Sequence, residues 1–68
     1  MEFHVDGDLP FLGTSLAQLP IRPQTLIASI VRDGKALIAN GSTTIEKNDN
    51  VIVVATKGKI KNLADILR

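Results

Sequence analysis

Hydrophobic and polar residues follow three different patterns along this chain. Phe3 and Val5 alternate with polar neighbours, which predicts a short strand with one buried face. The segment 25–31 is aliphatic at both alternating sets of positions, which is typical of a strand covered on both sides. In that prediction Leu26, Ala28 and Ile30 share one face of the strand. Segment 51–55 is almost entirely Val and Ile and is the clearest predicted strand.

Turn residues separate these strands. Asp33-Gly34 tolerates the positive φ angles of a type I′ turn, so it predicts a hairpin with a return strand over residues 35–39. Asn40-Gly41 marks a second turn. The charged, Asn-rich segment 46–50 predicts a further turn, and Asp49 is interpreted as one of its ordinary turn residues.

Two segments carry helical spacing. Leucines at positions 12, 16 and 19 predict a short helix over residues 12–19, which Pro20 ends. Ser15 and Gln18 match a capping box at its start. Apolar residues at 60, 63, 64 and 67 predict an amphipathic helix to the C-terminus. The order β-α-β-β-β-α predicts a single α+β domain over residues 1–68 with a mostly antiparallel sheet.

Size and composition favour association. A chain of 68 residues buries only about 60% of the surface that its unfolded form exposes. It has no cysteine, yet 44% of its residues are hydrophobic and its mean hydropathy is +0.17. We therefore expect a homodimer or a neighbouring domain to cover some apolar side chains. The alternative is a monomer with an apolar sheet face.

Charge and hydropathy limit the kinds of partner that the chain is expected to have. The net charge is +1 and only two residues are aromatic, so we expect no nucleic-acid partner. Lys57, Lys59 and Lys61 are interpreted as a solvated face. No apolar run is long enough for a membrane span and the N-terminus lacks a signal-peptide pattern, so a cytoplasmic chain is expected. The sequence leaves open whether it is one domain of a longer protein.

The residue inventory predicts neither an enzyme nor a metal site. His4 is the sole histidine and has no metal-ligand spacing around it, and the serines lack a base partner. No phosphate-binding glycine loop occurs. Arg32, at the end of an apolar strand and before a tight turn, is the most interesting single residue. Its guanidinium can fork onto a phosphate or a carboxylate; the alternative is a solvated arginine at a strand end.

Four segments in order resemble the C-terminal domain of RCK proteins (regulators of K⁺ conductance), also called the TrkA-C domain. Residues 12–19 are similar to that family's hydrophobic-Gly-x-Ser-Leu-x-x-Leu helix, and residues 27–34 to its I-x-x-I-x-R-x-G strand and turn. Residues 37–43 and 45–54 resemble its I-I-P-x-G-x-T and L-x-x-G-D-x-hydrophobic elements. Ala39 replaces a frequent proline, and Asn48 a frequent glycine, which puts only loop geometry in doubt.

The resemblance implies a homodimeric regulatory domain on the cytoplasmic face of a membrane-embedded potassium channel, uptake system or related transporter. It implies a small effector, cyclic di-AMP in several members, in a cleft between two subunits, and no other cofactor. The matching positions make Ile30, Val31, Arg32 and Asn40 candidate ligand contacts. The alternative is a dimerisation or docking domain without a small-molecule ligand.

Overall fold

The computed structural model describes all 68 residues and centres on a four-stranded antiparallel sheet. Its strands are β1 (Glu2–His4), β2 (Thr25–Arg32), β3 (Lys35–Ile38) and β4 (Asn50–Ala55). They lie side by side in the order β1-β4-β2-β3, so the two most aliphatic strands occupy the centre of the sheet. The predicted fold class, a small domain with an antiparallel sheet, is confirmed.

The hairpin between β2 and β3 has the predicted turn. Arg32 pairs with Lys35, and the two residues between them have φ angles of 52° at Asp33 and 77° at Gly34. Positive φ at both central positions defines the type I′ class, whose twist matches the flanking strands. Asn48 also takes a positive φ of 73°, a conformation that Asn tolerates better than most residues.

A β-bulge changes which side chains of β2 reach the core. Ile27 pairs with Val53 of β4, but the next pairing joins Ser29 to Ile52, so Ala28 is an extra residue in β2. An extra residue inverts the alternation of side chains beyond it. Ile27 and Ile30 are therefore both buried, three positions apart. The prediction that Leu26, Ala28 and Ile30 share a face was wrong for this reason.

The two helical segments are shorter than predicted. One-turn 3₁₀ helices occupy Leu16–Gln18 and Leu63–Ile66, and Ser15 makes no side-chain capping bond. The C-terminal segment buries Ile60, Leu63 and Ile66. That spacing of three fits the 3.0 residues per turn of a 3₁₀ helix, whereas the predicted α-helix would have buried residue 64, which is exposed.

The core lies on one side of the sheet only. Ten buried apolar residues form one cluster there, contributed by the strands, by the loops before β2 and β4, and by the C-terminal segment: Val5, Phe11, Ile27, Ile30, Ile45, Val51, Val53, Ile60, Leu63 and Ile66. The other side of the sheet has no such cover. The prediction that β2 is covered on both faces is therefore wrong for the single chain.

Candidate functional site

The uncovered side of the sheet is apolar, and we call it the outer face. Ile38 is 87% exposed, Leu26 62% and Val54 48%. Leu26 and Val54 are direct cross-strand partners, and Ile38 is paired with Ser29 on the neighbouring strand. The remaining apolar members are smaller or partly covered: Ala28, Val31, Ala36 and Ile52. Contiguous exposed apolar surface of this kind marks an interaction site in soluble proteins.

A groove of about 360 Å³ lies at the edge of the sheet, where the start of β2 has no β3 residue beside it. It is lined by Leu16 and Ala17, Ile21 and Arg22, the start of β2 (25–27), and the turn after β3 (39–41). Leu26 belongs to both the groove and the outer face, so the two surfaces are continuous. The volume is within the roughly 300 to 1,000 Å³ of small-molecule sites, and most of the lining is apolar.

Backbone hydrogen bonds and small side chains hold the groove walls together. The amide of Leu16 donates to the carbonyl of Thr43 at 2.9 Å, and that of Ala17 to the carbonyl of Gly41 at 2.9 Å. A Cβ on Gly41 would lie 3.2 Å from the Cβ of Ala17, so glycine lets the two segments approach closely. The groove is therefore a feature of the folded backbone.

Arg22 is the cation of the groove, and sequence reasoning missed it. Its Nη1 donates to the backbone carbonyl of Asp65 at 3.0 Å, and its guanidinium lies against Gly58. It forms no salt bridge, and its Nε and Nη2 donate no hydrogen bond. No buried side-chain nitrogen lacks a partner, so neither of those two nitrogens is fully buried. In the sequence Arg22 precedes a proline in an irregular segment, which gives no signal of a site.

Arg32 forms the fork predicted from its position, but the carboxylate belongs to the same chain. Its Nε and Nη2 donate to the two oxygens of Asp49 at 2.9 and 2.8 Å, and Nη2 also donates to the carbonyl of Thr44 at 3.0 Å. The Asp49 side chain is 1% exposed. The interpretations of Asp49 as an ordinary turn residue and of Arg32 as solvated were therefore both wrong.

The surroundings of this pair shift both pKa values. The hydrogen bond from Arg32 is the main cause that lowers the pKa of Asp49, against the opposing effect of burial. The amide of Glu46 adds a third donor at 2.9 Å and lowers that pKa further. The same hydrogen bond with Asp49 raises the pKa of Arg32. The pair is thus ionised and joins the end of β2 to the segment that precedes β4.

The structure separates the four predicted ligand contacts. Ile30 has no exposed surface, Val31 is partly exposed on the outer face, and Arg32 is held by Asp49. Only Asn40 lines the groove, where its Oδ1 accepts hydrogen bonds from the amide and hydroxyl of Ser42. Ile27 in the groove and Arg32 are five strand residues apart, or about 16 Å of backbone. The ligand role of the four residues stays a prediction.

The other candidate chemistry is sparse. His4 contacts Asn50 at 2.8 Å on the β1 edge of the sheet, and no group of three or more His, Cys, Asp or Glu side chains is placed to hold a metal ion. None of the helices combines the length and the apolar character needed to cross a membrane.

Fold and site together define a small sheet domain that presents an open apolar face and a groove bordered by an arginine. A family model described as the TrkA-C domain matches residues 1–68. The chain therefore belongs to the TrkA-C domain family. A Trk system potassium uptake protein TrkA homolog from Archaeoglobus fulgidus is 37% identical over 57 residues, or 84% of this chain. The chain spans only 13% of that relative's length.

Solved structures share the fold. An RCK domain with cda superposes with a TM-score of 0.73 at 19% identity, covering 84% of this chain and 80% of that one. The RCK_C domain dimer of S. agalactiae BusR in complex with c-di-AMP gives a TM-score of 0.72 at 27% identity, covering 84% and 74%. BusR in complex with its busAB-promotor DNA is matched at the same identity, but over only 29% of that chain. The prediction of no nucleic-acid partner for this segment stays a prediction.

Proposed function

We propose that this domain is a regulatory, non-catalytic module that dimerises through its outer face and binds a small effector, cyclic di-AMP, at the dimer cleft. The observation that carries the proposal is the continuity of the open apolar face with the groove. A second copy that covers the face would also border the groove. A BusR RCK_C domain of the same fold is a dimer in complex with c-di-AMP.

Burial of apolar surface supports a second copy as the occupant of the outer face. Leu26, Ile38 and Val54 are the large exposed apolar side chains of the sheet, and no lysine, arginine, aspartate or glutamate lies among them on β2, β3 and β4. Among the strand residues, Glu2 on the edge strand β1, opposite Ile52, is the one lysine, arginine, aspartate or glutamate on this side of the sheet. A two-fold axis through β2, β3 and β4 would therefore bring apolar patches together without opposing like charges. A two-fold interface uses the same patch on both subunits, as this arrangement requires.

Cyclic di-AMP suits such an axis because its two nucleotide halves are equivalent. Each protomer would contribute one groove, and the expected stoichiometry is one ligand to two chains. Val31 and Asn40 are proposed as direct contacts, and Arg32 through Nη1, its one nitrogen without a hydrogen bond. Ile30 would act only indirectly, by fixing the position of β2, since its side chain is buried in the core on the other side of the sheet.

Regulation would follow from linkage. A ligand shared by two subunits shifts the equilibrium between two dimer arrangements by its difference in affinity for them. We propose that the domain acts on the cytoplasmic side of a potassium channel, uptake system or related transporter, in keeping with the Trk system relative. The change in dimer arrangement would then be passed to the membrane subunit.

One observation favours the second candidate, a dimerisation or docking domain without an effector. Asp49 neutralises the charge of Arg32, the residue that the family pattern suggests for an anionic ligand. In that case the outer face alone would carry the function.

Calorimetric titration of the 68-residue chain with cyclic di-AMP separates the two candidates, with sedimentation equilibrium run in parallel. Saturable heat at about 0.5 ligand per chain supports the effector module. A dimer that gives no heat and no thermal stabilisation at high ligand concentration supports the docking domain. A chain that stays monomeric at every concentration, with and without ligand, contradicts both.

A further inference from the structure

Positive charge is concentrated at the end of the molecule where the groove lies. Arg22 is at the groove itself, and Gly58, which touches its guanidinium, places Lys57 and Lys59 beside it. The amide of Arg68 donates to the carbonyl of Pro20, which brings the C-terminal residue to the same end. Five of the eight Lys and Arg residues belong to this region, and none of them forms a salt bridge: Arg22, Lys57, Lys59, Lys61 and Arg68.

Arg22 is prepared to meet an anion in a way that Arg32 is not. The bidentate contact with Asp49 uses two of the three nitrogens of Arg32 and cancels its charge. Arg22 donates a hydrogen bond from one nitrogen to a neutral carbonyl, which fixes the guanidinium without forming a salt bridge. The Asp65 carboxylate accepts from the amides of Lys61 and Asn62, at 2.9 and 3.3 Å, and forms no salt bridge with Arg22, although the charge of Arg22 helps to lower its pKa. Nε and Nη2 of Arg22 make no hydrogen bond within the chain, and together they form one edge with the bidentate geometry that phosphate favours.

The rest of the groove suits the uncharged part of a nucleotide. Leu16, Ile21, Ile27 and Ala39 supply apolar walls, and Asn40 supplies an amide nitrogen that makes no hydrogen bond within the chain. Apolar walls with a few polar groups at the rim are the usual composition of a small-molecule site. The groove therefore combines a surface for a flat base with a cation for a phosphate.

We infer that the groove takes one nucleotide of the effector and that Arg22 is the side chain that contacts its phosphate. This inference rests on the proposed function, which it extends by naming the subsite and a residue outside the four suggested by the family pattern. Gly58 has a supporting role because a Cβ at that position would collide with Nη2 of Arg22. Only glycine leaves the guanidinium where it is.

The test is calorimetric titration with cyclic di-AMP of the wild-type chain and of Arg22→Gln, Arg22→Lys and Lys47→Gln. Loss of a charge-assisted hydrogen bond weakens binding by about tenfold to a hundredfold, and we expect that loss for Arg22→Gln. Arg22→Lys should lie between wild type and Arg22→Gln, because it keeps the charge and loses the fork. Lys47→Gln, at an exposed position outside the groove and outside the cluster of positive charge beside it, should bind like wild type.

A matched pair of glycine variants tests the same idea without touching Arg22. Gly58 and Gly34 have φ angles of +78° and +77°, but a Cβ on Gly34 meets nothing within 4 Å. Both alanine variants should lose similar stability, and only Gly58→Ala should lose affinity for cyclic di-AMP. This pair of variants also tests the role of Arg22 if Arg22→Gln does not fold.

The outcomes distinguish failure of the proposed effector from failure of the subsite assigned to Arg22. If the wild-type chain does not bind cyclic di-AMP, the proposed effector is wrong and the subsite assignment is rejected with it. If the wild type binds and both Arg22→Gln and Gly58→Ala bind equally well, the proposed function stands and the role of Arg22 is refuted.

Discussion

Truncation of Ile38 is the sharpest test of the outer face as a dimer interface. The side chain is 87% exposed in the single chain, so nearly all of its apolar surface is available to a partner. Ile38→Ala removes three carbon groups, or about 2.4 kcal/mol at about 0.8 kcal/mol each when they are fully buried. A two-fold interface contains the residue twice, so the upper limit is about 5 kcal/mol, or a dimer Kd raised about three-thousandfold.

The same exposure predicts that the monomer is unaffected. Substitution of an exposed side chain usually changes the free energy of unfolding by less than about 0.5 kcal/mol, so the stability of the dissociated chain should stay near that of wild type. Sedimentation equilibrium gives the dimer Kd, and urea unfolding at concentrations below that Kd gives the monomer stability. Lys47→Ala is the control at an exposed position outside the sheet. A dimer Kd for Ile38→Ala within threefold of wild type would refute the outer face as the interface.

Three further predictions concern the fold around the site. Asp49→Asn should lower the free energy of unfolding by about 2 to 3 kcal/mol. This is less than for a fully buried pair, because the Arg32 side chain is 34% exposed. A loss below about 0.5 kcal/mol in urea unfolding would contradict a structural role for the Arg32–Asp49 pair. The lowered pKa values of Asp49 and Asp65 stabilise the fold above the ordinary carboxyl value of about 3.9, and this stability is lost as pH falls through the folded values. The Tm of wild type and of the exposed-site control Asp8→Asn should therefore drop between about pH 5 and pH 2, more steeply than that of Asp49→Asn, and equal slopes would count against the assignment. Gln24 has a φ of +60°, so Gln24→Gly should raise the free energy of unfolding by up to about 1 kcal/mol. The lost hydrogen bond to Thr56 reduces this gain. A clear loss of stability in urea unfolding would show that this bond outweighs the strain.

The sequence was sufficient for local features whose causes are local. Asp33-Gly34 predicted the hairpin because only a few residue types accept positive φ at two successive positions. The apolar content predicted that a surface would be left for a partner, and the exposed Leu26 and Ile38 agree with that expectation. These inferences needed only residue chemistry and the period of a strand.

Features that depend on distant parts of the chain were beyond the sequence pattern. The bulge at Ala28 arises from how β2 pairs with β4, and it decides which residues of β2 are buried. Asp49 is 17 positions from Arg32, so the composition of its own segment indicates only a turn. Arg22 becomes the cation of the groove through contacts with Gly58 and Asp65, more than 35 positions away.

The two proposals are coupled, and the coupling makes its own prediction. If the effector lies between two grooves joined by the outer face, ligand binding and dimerisation must strengthen each other by the same factor. Ile38→Ala should then weaken the binding of cyclic di-AMP although Ile38 does not line the groove. Arg22→Gln should leave the ligand-free dimer Kd unchanged and remove the tightening of the dimer by ligand. Sedimentation equilibrium of both variants, each with and without cyclic di-AMP, gives four dimer Kd values. The change in Kd caused by the ligand follows from each pair of values. If Ile38→Ala weakened the dimer and left ligand affinity unchanged, the ligand would be held within one protomer and a shared cleft would be excluded.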